Sequence, residues 1–421
     1  MISDPCAFFT ALFDAAVAAA DPRRAIRDFL PAQPNGRTIV IGAGKGSAQM
    51  AAALEEAWDG PLEGVVVTRY GYAAPCRRIE VLEAAHPMPD EAGLRGARKL
   101  FETLHGLTQD DLVISLISGG GSALLPAPPD GMSLADEVAV NEALLASGAP
   151  ISAMNTIRKH LSSIKGGRLA VAAHPAKVVT LVVSDIPGDN PAFVASGPTV
   201  PDAAAREDAL RLVEAFGLKL PDAAMRHLRS PAADAPKPDD PRFARNEVHV
   251  IASAVKSLEA AVEEAKRRGV EAVILSDAIE GEAREVGGVH AAIAREIAAH
   301  DRPFRKPVVL LSGGETTVTI RGSGGKGGRN SEFLLALALG IDGVAGIHAF
   351  AADTDGIDGS QDNAGAFADF GSIARMRAAG LDPRAMLSRH DAWTAFDAIG
   401  ELFVPGPTGT NVNDLRAVLV V

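Results

Sequence analysis

The sequence predicts an α/β protein of two domains, and three observations carry that expectation. Short apolar runs rich in β-branched residues recur along the chain, each ending in glycine, serine or aspartate before a helix-like segment. The runs are continuous rather than alternating, which suits strands buried on both faces of a sheet. A length of 421 residues exceeds what one hydrophobic core ordinarily serves.

The elements follow in order. Ser3-Asp4-Pro5 offers a cap and a proline at the first helical position, so the chain is expected to open with a helix. "TIVIGAGKGS" (38–47) reads as a strand, a glycine turn and a helix start. The same grammar recurs in "DLVISLISGGGSA" (111–123), "KVVTLVVSDIPGD" (177–189), "VHVIASA" (248–254), "EAVILSDAIEGEA" (271–283), "PVVLLSGGETT" (307–317) and "IHAFAADTDGIDG" (347–359). Strands that alternate with helical patterns imply βαβ units and a mostly parallel sheet. Ligands of such sheets sit beyond the carboxyl ends of the strands. The stretch "RSPAADAPKPDDPRFARN" (229–246) has no apolar period and reads as a linker or a long surface loop. The domains are therefore expected at 1–236 and 237–421.

Composition excludes several classes. The net charge of −12 disfavours broad contact with nucleic acid or anionic lipid. Cys6 and Cys76 match no metal spacing and cannot form a disulfide framework. The first residues lack a basic leader, and no apolar stretch is long and clean enough to span a membrane. These features point to a cytoplasmic enzyme or binding protein without nucleic-acid or membrane partners.

The chemistry-bearing clusters lie at the strand ends. Gly42 and Gly44 fit the start of a dinucleotide fingerprint, but Ser47 stands at its third position. The next run, "GVVVTRYG" (64–71), ends in Thr68-Arg69 and offers no ribose-binding acid, although Arg69 suits the 2′-phosphate of NADP and keeps that cofactor open. The turn instead resembles an anion cradle with Lys45 inside it. Ser118, Gly119, Gly120, Gly121 and Ser122 form a second loop that a ligand can approach closely. Ser312, Gly313 and Glu315 stand in a similar turn. The stretch 152–170 is the densest basic region and carries Arg158 and Lys165. Asp185 and Asp189 end a strand and suit Mg²⁺, which takes few protein ligands. "RGSGGKGGRNSEF" (321–333) places Lys326 and Arg329 in a glycine-rich loop, with a helix capped near Asn330. Asp353 follows another buried run and suggests a metal or a polar substrate. His86, in "HPMPD", is a general-base candidate of the kind more often structural.

As an ordered set, "GAGKGS", "HPMPD", "SGGGSALL", "NTIRKHLSSIKGGRLA", "SDIPGD", "ASGPT", "SGGETTV", "GGRNSEF" and "ADTDGIDG" resemble the class II glycerate kinase family. The resemblance runs from near residue 5 to near residue 415. It implies a Rossmann-like N-terminal domain, a parallel sheet flanked by helices, joined to a C-terminal α/β MOFRL domain with the active site in the cleft between them. It implies phosphorylation of D-glycerate by ATP with Mg²⁺, commonly at the 2-hydroxyl, giving 2-phosphoglycerate and ADP. Some members carry the name hydroxypyruvate reductase, so an NAD(P)H-dependent reductase is the alternative. On this pattern Lys45 and Arg329 match the catalytic positions. Lys45 would hold the transferring phosphoryl group or the glycerate carboxylate, and Arg329 would offset developing charge. Asp189 or Asp353 would orient the attacking hydroxyl or hold Mg²⁺, with Asp185 as a further metal ligand. Arg158 and Lys165 would bind the glycerate carboxylate or nucleotide phosphates. Gly44, the Ser118–Ser122 loop, Ser312, Gly313, Glu315, Lys326 and Asn330 would contact substrate or nucleotide. A monomer or a homodimer is expected.

Overall fold

The computed structural model describes residue 2, residues 4–320 and residues 324–421. Ser3 of the predicted cap and Arg321, Gly322 and Ser323 of the glycine-rich loop lie outside the described residues.

The chain divides into two units, Pro22–Ile251 and Met1–Asp21 together with Ala252–Val421. This division differs from the expected one at both ends. Residues 229–246 are not a linker but belong to the first unit. There the Arg168 guanidinium donates to the carbonyls of Ala233 at 3.0 Å and Asp234 at 3.1 Å, and Lys237 Nζ donates to Ala204 O at 2.7 Å. The opening helix Pro5–Ala19 belongs to the second unit. Its N-cap Asp4 accepts from Ala7 N–H at 3.0 Å, as the sequence pattern requires. Its buried face explains where it goes: Phe9 stacks on Phe350 at 5.9 Å and Phe13 meets Phe403 edge-on at 5.0 Å. Aromatic burial of this kind outweighs sequence distance.

The first unit holds one six-stranded sheet. Its strands are β1 (Thr38–Ala43), β2 (Glu63–Arg69), β3 (Ile79–Ala84), β4 (Leu112–Ser118), β5 (Lys177–Val183) and β6 (Glu247–Ala252). Their order is β3-β2-β1-β4-β5-β6. The pairs β1–β2, β2–β3, β1–β4 and β4–β5 are parallel. β1 and β4 are buried along their full lengths, as continuous apolar runs demand. The order is that of a doubly wound nucleotide fold, and it reverses between β1 and β4. The loops after these two strands therefore diverge and leave a crevice.

The second unit carries β7 (Glu271–Ser276), β8 (Gly281–Glu282), β9 (Val308–Ser312), β10 (Thr316–Thr317), β11 (Ile347–Asp353), β12 (Gly365–Asp369), β13 (Leu402–Phe403) and β14 (Asp414–Val420). β8 and β10 pair with each other, and the six-stranded sheet runs β13-β12-β11-β14-β9-β7. The expectation of a mostly parallel sheet is corrected here. Only β7–β9 is parallel within it, while β9–β14, β14–β11, β11–β12 and β12–β13 are antiparallel. Apolar runs report burial of both faces, not strand direction. β11 reaches β12 through a loop without a helix, and such a connection returns the chain antiparallel. Among the described residues no helix is long and apolar enough to cross a membrane.

Candidate active site

The site in the first unit grows out of the reversal between β1 and β4. β1 delivers Gly44-Lys45-Gly46 directly into the helix Ser47–Ala57. Gly44 has φ 142°, and a Cβ there would lie 2.1 Å from Ser118 Oγ, so only glycine fits. The amides of this turn are spent inside the protein. Gly44 N–H donates to Val67 O at 3.1 Å, Lys45 N–H to Gly119 O at 2.8 Å and Gly46 N–H to Ser118 Oγ at 2.9 Å. The expected backbone cradle at Gly44 is thus corrected to a clamp between two strand ends. The charge remains, because the half-buried Lys45 ammonium makes no hydrogen bond or ion pair among the described residues.

The loop Ser118–Ser122 takes the open role. The amides of Gly120, Gly121 and Ser122 donate to no other described residue. A Cβ on Gly119 would strike Asp185 Oδ2 at 1.7 Å, so the carboxylate at the end of β5 lies against this loop. A Cβ on Gly120 would stand 3.1 Å from both Lys45 Cγ and His86 Nε2. The structure thereby brings Lys45, His86 and Asp185 around one loop. His86 is held neutral, its pKa lowered to about 4 by burial first and by Lys45 and Arg69 beside it. The sequence offered His86 only as a lone loop residue, and its HPMPD setting after β3 is the signal that placed it here.

Other candidates are used differently. Lys165 is buried and donates to Glu137 Oε1 and to Leu125 O, both at 3.0 Å, so it is a structural ion pair rather than a ligand group. Ser118 is buried as the acceptor for Gly46. Asp189 stands half-buried in the turn after β5 with φ 51°, and its carboxylate makes no ion pair among the described residues. Thr68 at the end of β2 is buried and donates to Lys45 O at 3.2 Å, while Arg69 lies 5.0 Å over the Tyr72 ring. No acid takes the ribose-binding place there.

The second unit gathers its own charged cluster at the start of the helix Arg329–Ile341. Arg329 Nε donates to Asp414 Oδ1 at 2.8 Å, Nη1 to Glu315 Oε1 at 3.0 Å and Nη2 to Asp353 Oδ2 at 2.6 Å. Burial opposes its charge, but the three carboxylates outweigh burial and push its pKa up. Burial raises Asp353 well above the usual carboxylate range, against the pull of Arg329. The helix start is not open to a ligand. Asp358 accepts from Asn330 N–H at 2.9 Å and Ser331 N–H at 2.8 Å, so a buried carboxylate from the ADTDGIDG motif caps it. Asn330, expected to bind substrate, is fully buried and donates to Asp414 Oδ1 at 2.7 Å. Lys326 is exposed, with its ammonium 4.9 Å over the Trp393 ring.

Ser312 and Gly313 are also internal. Ser312 Oγ lies 3.0 Å from His290 Nε2, and Gly313 O accepts from Arg416 Nη1 at 3.0 Å. His290 Nδ1 lies 2.9 Å from Val286 O, so that nitrogen carries the proton and Ser312 donates. Burial, the leading influence, lowers the His290 pKa from 6.5 to about 4. The sign follows. Above the unfolded value both states are neutral and the fold loses nothing. As pH falls from 6.5 towards 4 the unfolded chain binds the proton first, and stability is lost. His290→Gln is expected to remove about 2 kcal/mol of the stability loss seen by urea denaturation between about pH 7 and pH 5. An unchanged pH slope contradicts this assignment.

Metal ligation is testable on the same contacts. Among the described residues no group of three or more His, Cys, Asp or Glu could hold a metal ion. Asp353 does not fit a metal, because Oδ2 is taken by Arg329 and Oδ1 accepts from Asp355 N–H at 3.1 Å. Asp185 fits the single-carboxylate donation that Mg²⁺ takes when phosphate oxygens and water complete its shell.

A doubly wound sheet with a cation and an open glycine loop at its reversal defines a class of α/β proteins suited to anionic ligands. Comparison with known proteins gives the family. Residues 8–229 match the domain of unknown function DUF4147, and residues 308–414 match the MOFRL family. A D-glycerate 2-kinase from Thermotoga maritima is 40% identical over 95% of this chain and 94% of its own length. A protein from Agrobacterium vitis, provisionally named a hydroxypyruvate reductase, is 54% identical over 97% of this chain and 93% of its own. The crystal structure of a Thermotoga maritima glycerate kinase superposes with a TM-score of 0.89 at 39% identity, covering 98% of this chain and 99% of that one. The chain belongs to the family that joins DUF4147 to MOFRL and includes these glycerate kinases.

Proposed function

We propose that the protein is a glycerate 2-kinase, transferring the terminal phosphoryl group of ATP to the 2-hydroxyl of D-glycerate to give 2-phosphoglycerate and ADP. The observation that carries this reading is Lys45, a half-buried cation without a counter-ion among the described residues, set against the open loop Ser118–Ser122. Phosphoryl transfer needs positioned positive charge more than covalent chemistry. The Thermotoga maritima relative named a D-glycerate 2-kinase and the glycerate kinase crystal structure support the same activity, while the name of the Agrobacterium vitis relative stands with the reductase alternative. The missing acid after β2 disfavours a nicotinamide site.

In this reading Lys45 holds the transferring phosphoryl oxygens and the loop amides receive the nucleotide phosphates. Mg²⁺, bound with ATP, supplies charge neutralisation, and Asp185 is the residue that would hold it. Asp189, whose carboxylate is not committed to a cation, orients the attacking hydroxyl, while Asp353 keeps Arg329 in place. ³¹P NMR of a reaction with D-glycerate, ATP and Mg²⁺ tests the whole statement. A phosphomonoester on the 2-oxygen that fails to form in excess EDTA is expected. A 3-phosphate, or full turnover without the metal, refutes the corresponding part.

A further inference from the structure

The helix Ile151–His160 and the turn after it carry the densest basic stretch of the chain, and the fold spends nearly all of it internally. Lys159 pairs with Asp202 and lies 4.6 Å over the Phe193 ring. Lys165 pairs with Glu137 at 3.0 Å. Arg168 donates to the carbonyls of Lys159 at 2.7 Å and Ala233 at 3.0 Å. His160 Nδ1 reaches Thr156 O at 2.8 Å.

Arg158 differs from all of these. It is half-buried and makes no ion pair among the described residues. Its Nε donates to Asn141 Oδ1 at 2.9 Å, and its Nη1 faces Asn155 Oδ1 at 3.4 Å. Amide oxygens orient a guanidinium without cancelling its charge. The outer edge of the guanidinium, with Nη2, donates to no described residue. Burial lowers the pKa of this group and outweighs the opposing attraction of Glu137, whose carboxylate pairs with Lys165. The group stays charged, since guanidinium does not deprotonate in proteins.

The supports of Arg158 lead back to the site. Asn155 Nδ2 donates to Phe193 O at 3.1 Å, and Asn155 Oδ1 accepts from Ser196 Oγ at 3.1 Å. Ser196 and its neighbour Ala195 are held at φ 60° and 53°, in the left-handed region that non-glycine residues avoid. Such strain persists where the surroundings over-determine it, and it concentrates at functional sites. Ser196 Oγ lies 2.9 Å from Ser122 Oγ, the last residue of the loop against which Lys45 and His86 pack. One hydrogen-bonded chain thus runs from the Lys45 loop to a guanidinium that has no ion pair among the described residues.

We propose that Arg158 is the anchor for the carboxylate of the substrate, with Asn141 and Asn155 as the residues that position it. The inference rests on the kinase reading and deepens it. It assigns the permanent charge of the acceptor substrate to Arg158 and leaves Lys45 to the phosphoryl group. A planar fork with a free edge matches a carboxylate in two parallel hydrogen bonds. Two neutral amides hold that fork at the cost of none of its charge.

The test compares D-glycerate with D-glyceramide, which keeps both hydroxyls and loses the charge. Arg158→Gln is expected to lower kcat/KM for glycerate by about 10²- to 10³-fold, as loss of one partner of a desolvated charge pair does. For glyceramide the change is expected to stay within about threefold, and the KM for ATP within about twofold. Arg158→Lys, the milder variant should the glutamine form fail to fold, is expected to lose about tenfold on glycerate alone. A rise in the KM for ATP instead, or equal losses on both acceptors, overturns the assignment. If the wild-type protein turns over no glycerate, the kinase reading has failed, and calorimetric titration with D-glycerate decides this inference separately. Binding lost in Arg158→Gln then supports it, and unchanged binding overturns it.

Discussion

Lys45→Ala is expected to lower kcat for glycerate-dependent ADP formation by about 10³-fold, the scale of removing one preorganised charge from a phosphoryl or oxyanion site. The ammonium has no structural partner to lose. The hydrogen bonds at this residue belong to its backbone, through N–H to Gly119 O and through O to Thr68 Oγ1, and alanine keeps both. The side-chain stem packs at Gly120, where its removal leaves a small gap. Stability is therefore expected to change by less than about 1 kcal/mol, the range of a substitution that breaks no buried pair. Steady-state kinetics beside a thermal melt separates the two effects. A folded Lys45→Ala protein with wild-type kcat would remove Lys45 from the chemistry.

The largest stability effect is expected at Arg416. This arginine is fully buried in β14. It pairs with Asp414, donates to Gly313 O at 3.0 Å and Thr316 Oγ1 at 3.1 Å, and stands 5.3 Å over the Phe333 ring. Arg416→Met keeps the bulk and removes the charge, leaving Asp414, itself fully buried at its side chain, short of one counter-ion. The expected cost is about 3–5 kcal/mol, because breaking a buried pair strands a desolvated charge. Asp414 also orients Arg329. Urea denaturation measures it. A cost below about 1 kcal/mol would mean that Arg329 and Asn330 alone satisfy Asp414.

The same pair explains what the sequence hides. The runs that became β1, β4, β5, β9 and β11 were legible because their residues are mostly apolar and carry no charge between the ends of the run. "DLRAVLV" became a central strand, β14, yet Asp414 and Arg416 interrupt its apolar pattern. They are tolerated there because each neutralises the other, and pairing is not visible in composition. Strand direction in the second sheet was hidden for a similar reason, since burial and orientation are separate properties. The basic stretch 152–170 advertised its charges but not their partners. Asp202 lies 43 residues from Lys159, and Glu137 lies 28 from Lys165. Only the structure shows which cation the fold leaves unmatched. The strand-end positions of Lys45, the Ser118–Ser122 loop and Asp185 were readable, because glycine-rich turns after buried strands follow from the sheet's own geometry. The occupation of the Gly44–Gly46 amides by Val67, Gly119 and Ser118 was not.

The most direct measurement sets two assays of the wild-type protein side by side. One follows ADP formed from ATP and Mg²⁺ on addition of D-glycerate. The other follows NADH and NADPH consumed with hydroxypyruvate. Glycerate-dependent ADP and no nicotinamide oxidation above background are expected. Robust NADPH consumption with no glycerate-dependent ADP would contradict the kinase reading, and would make the turn at Lys45 a dinucleotide site.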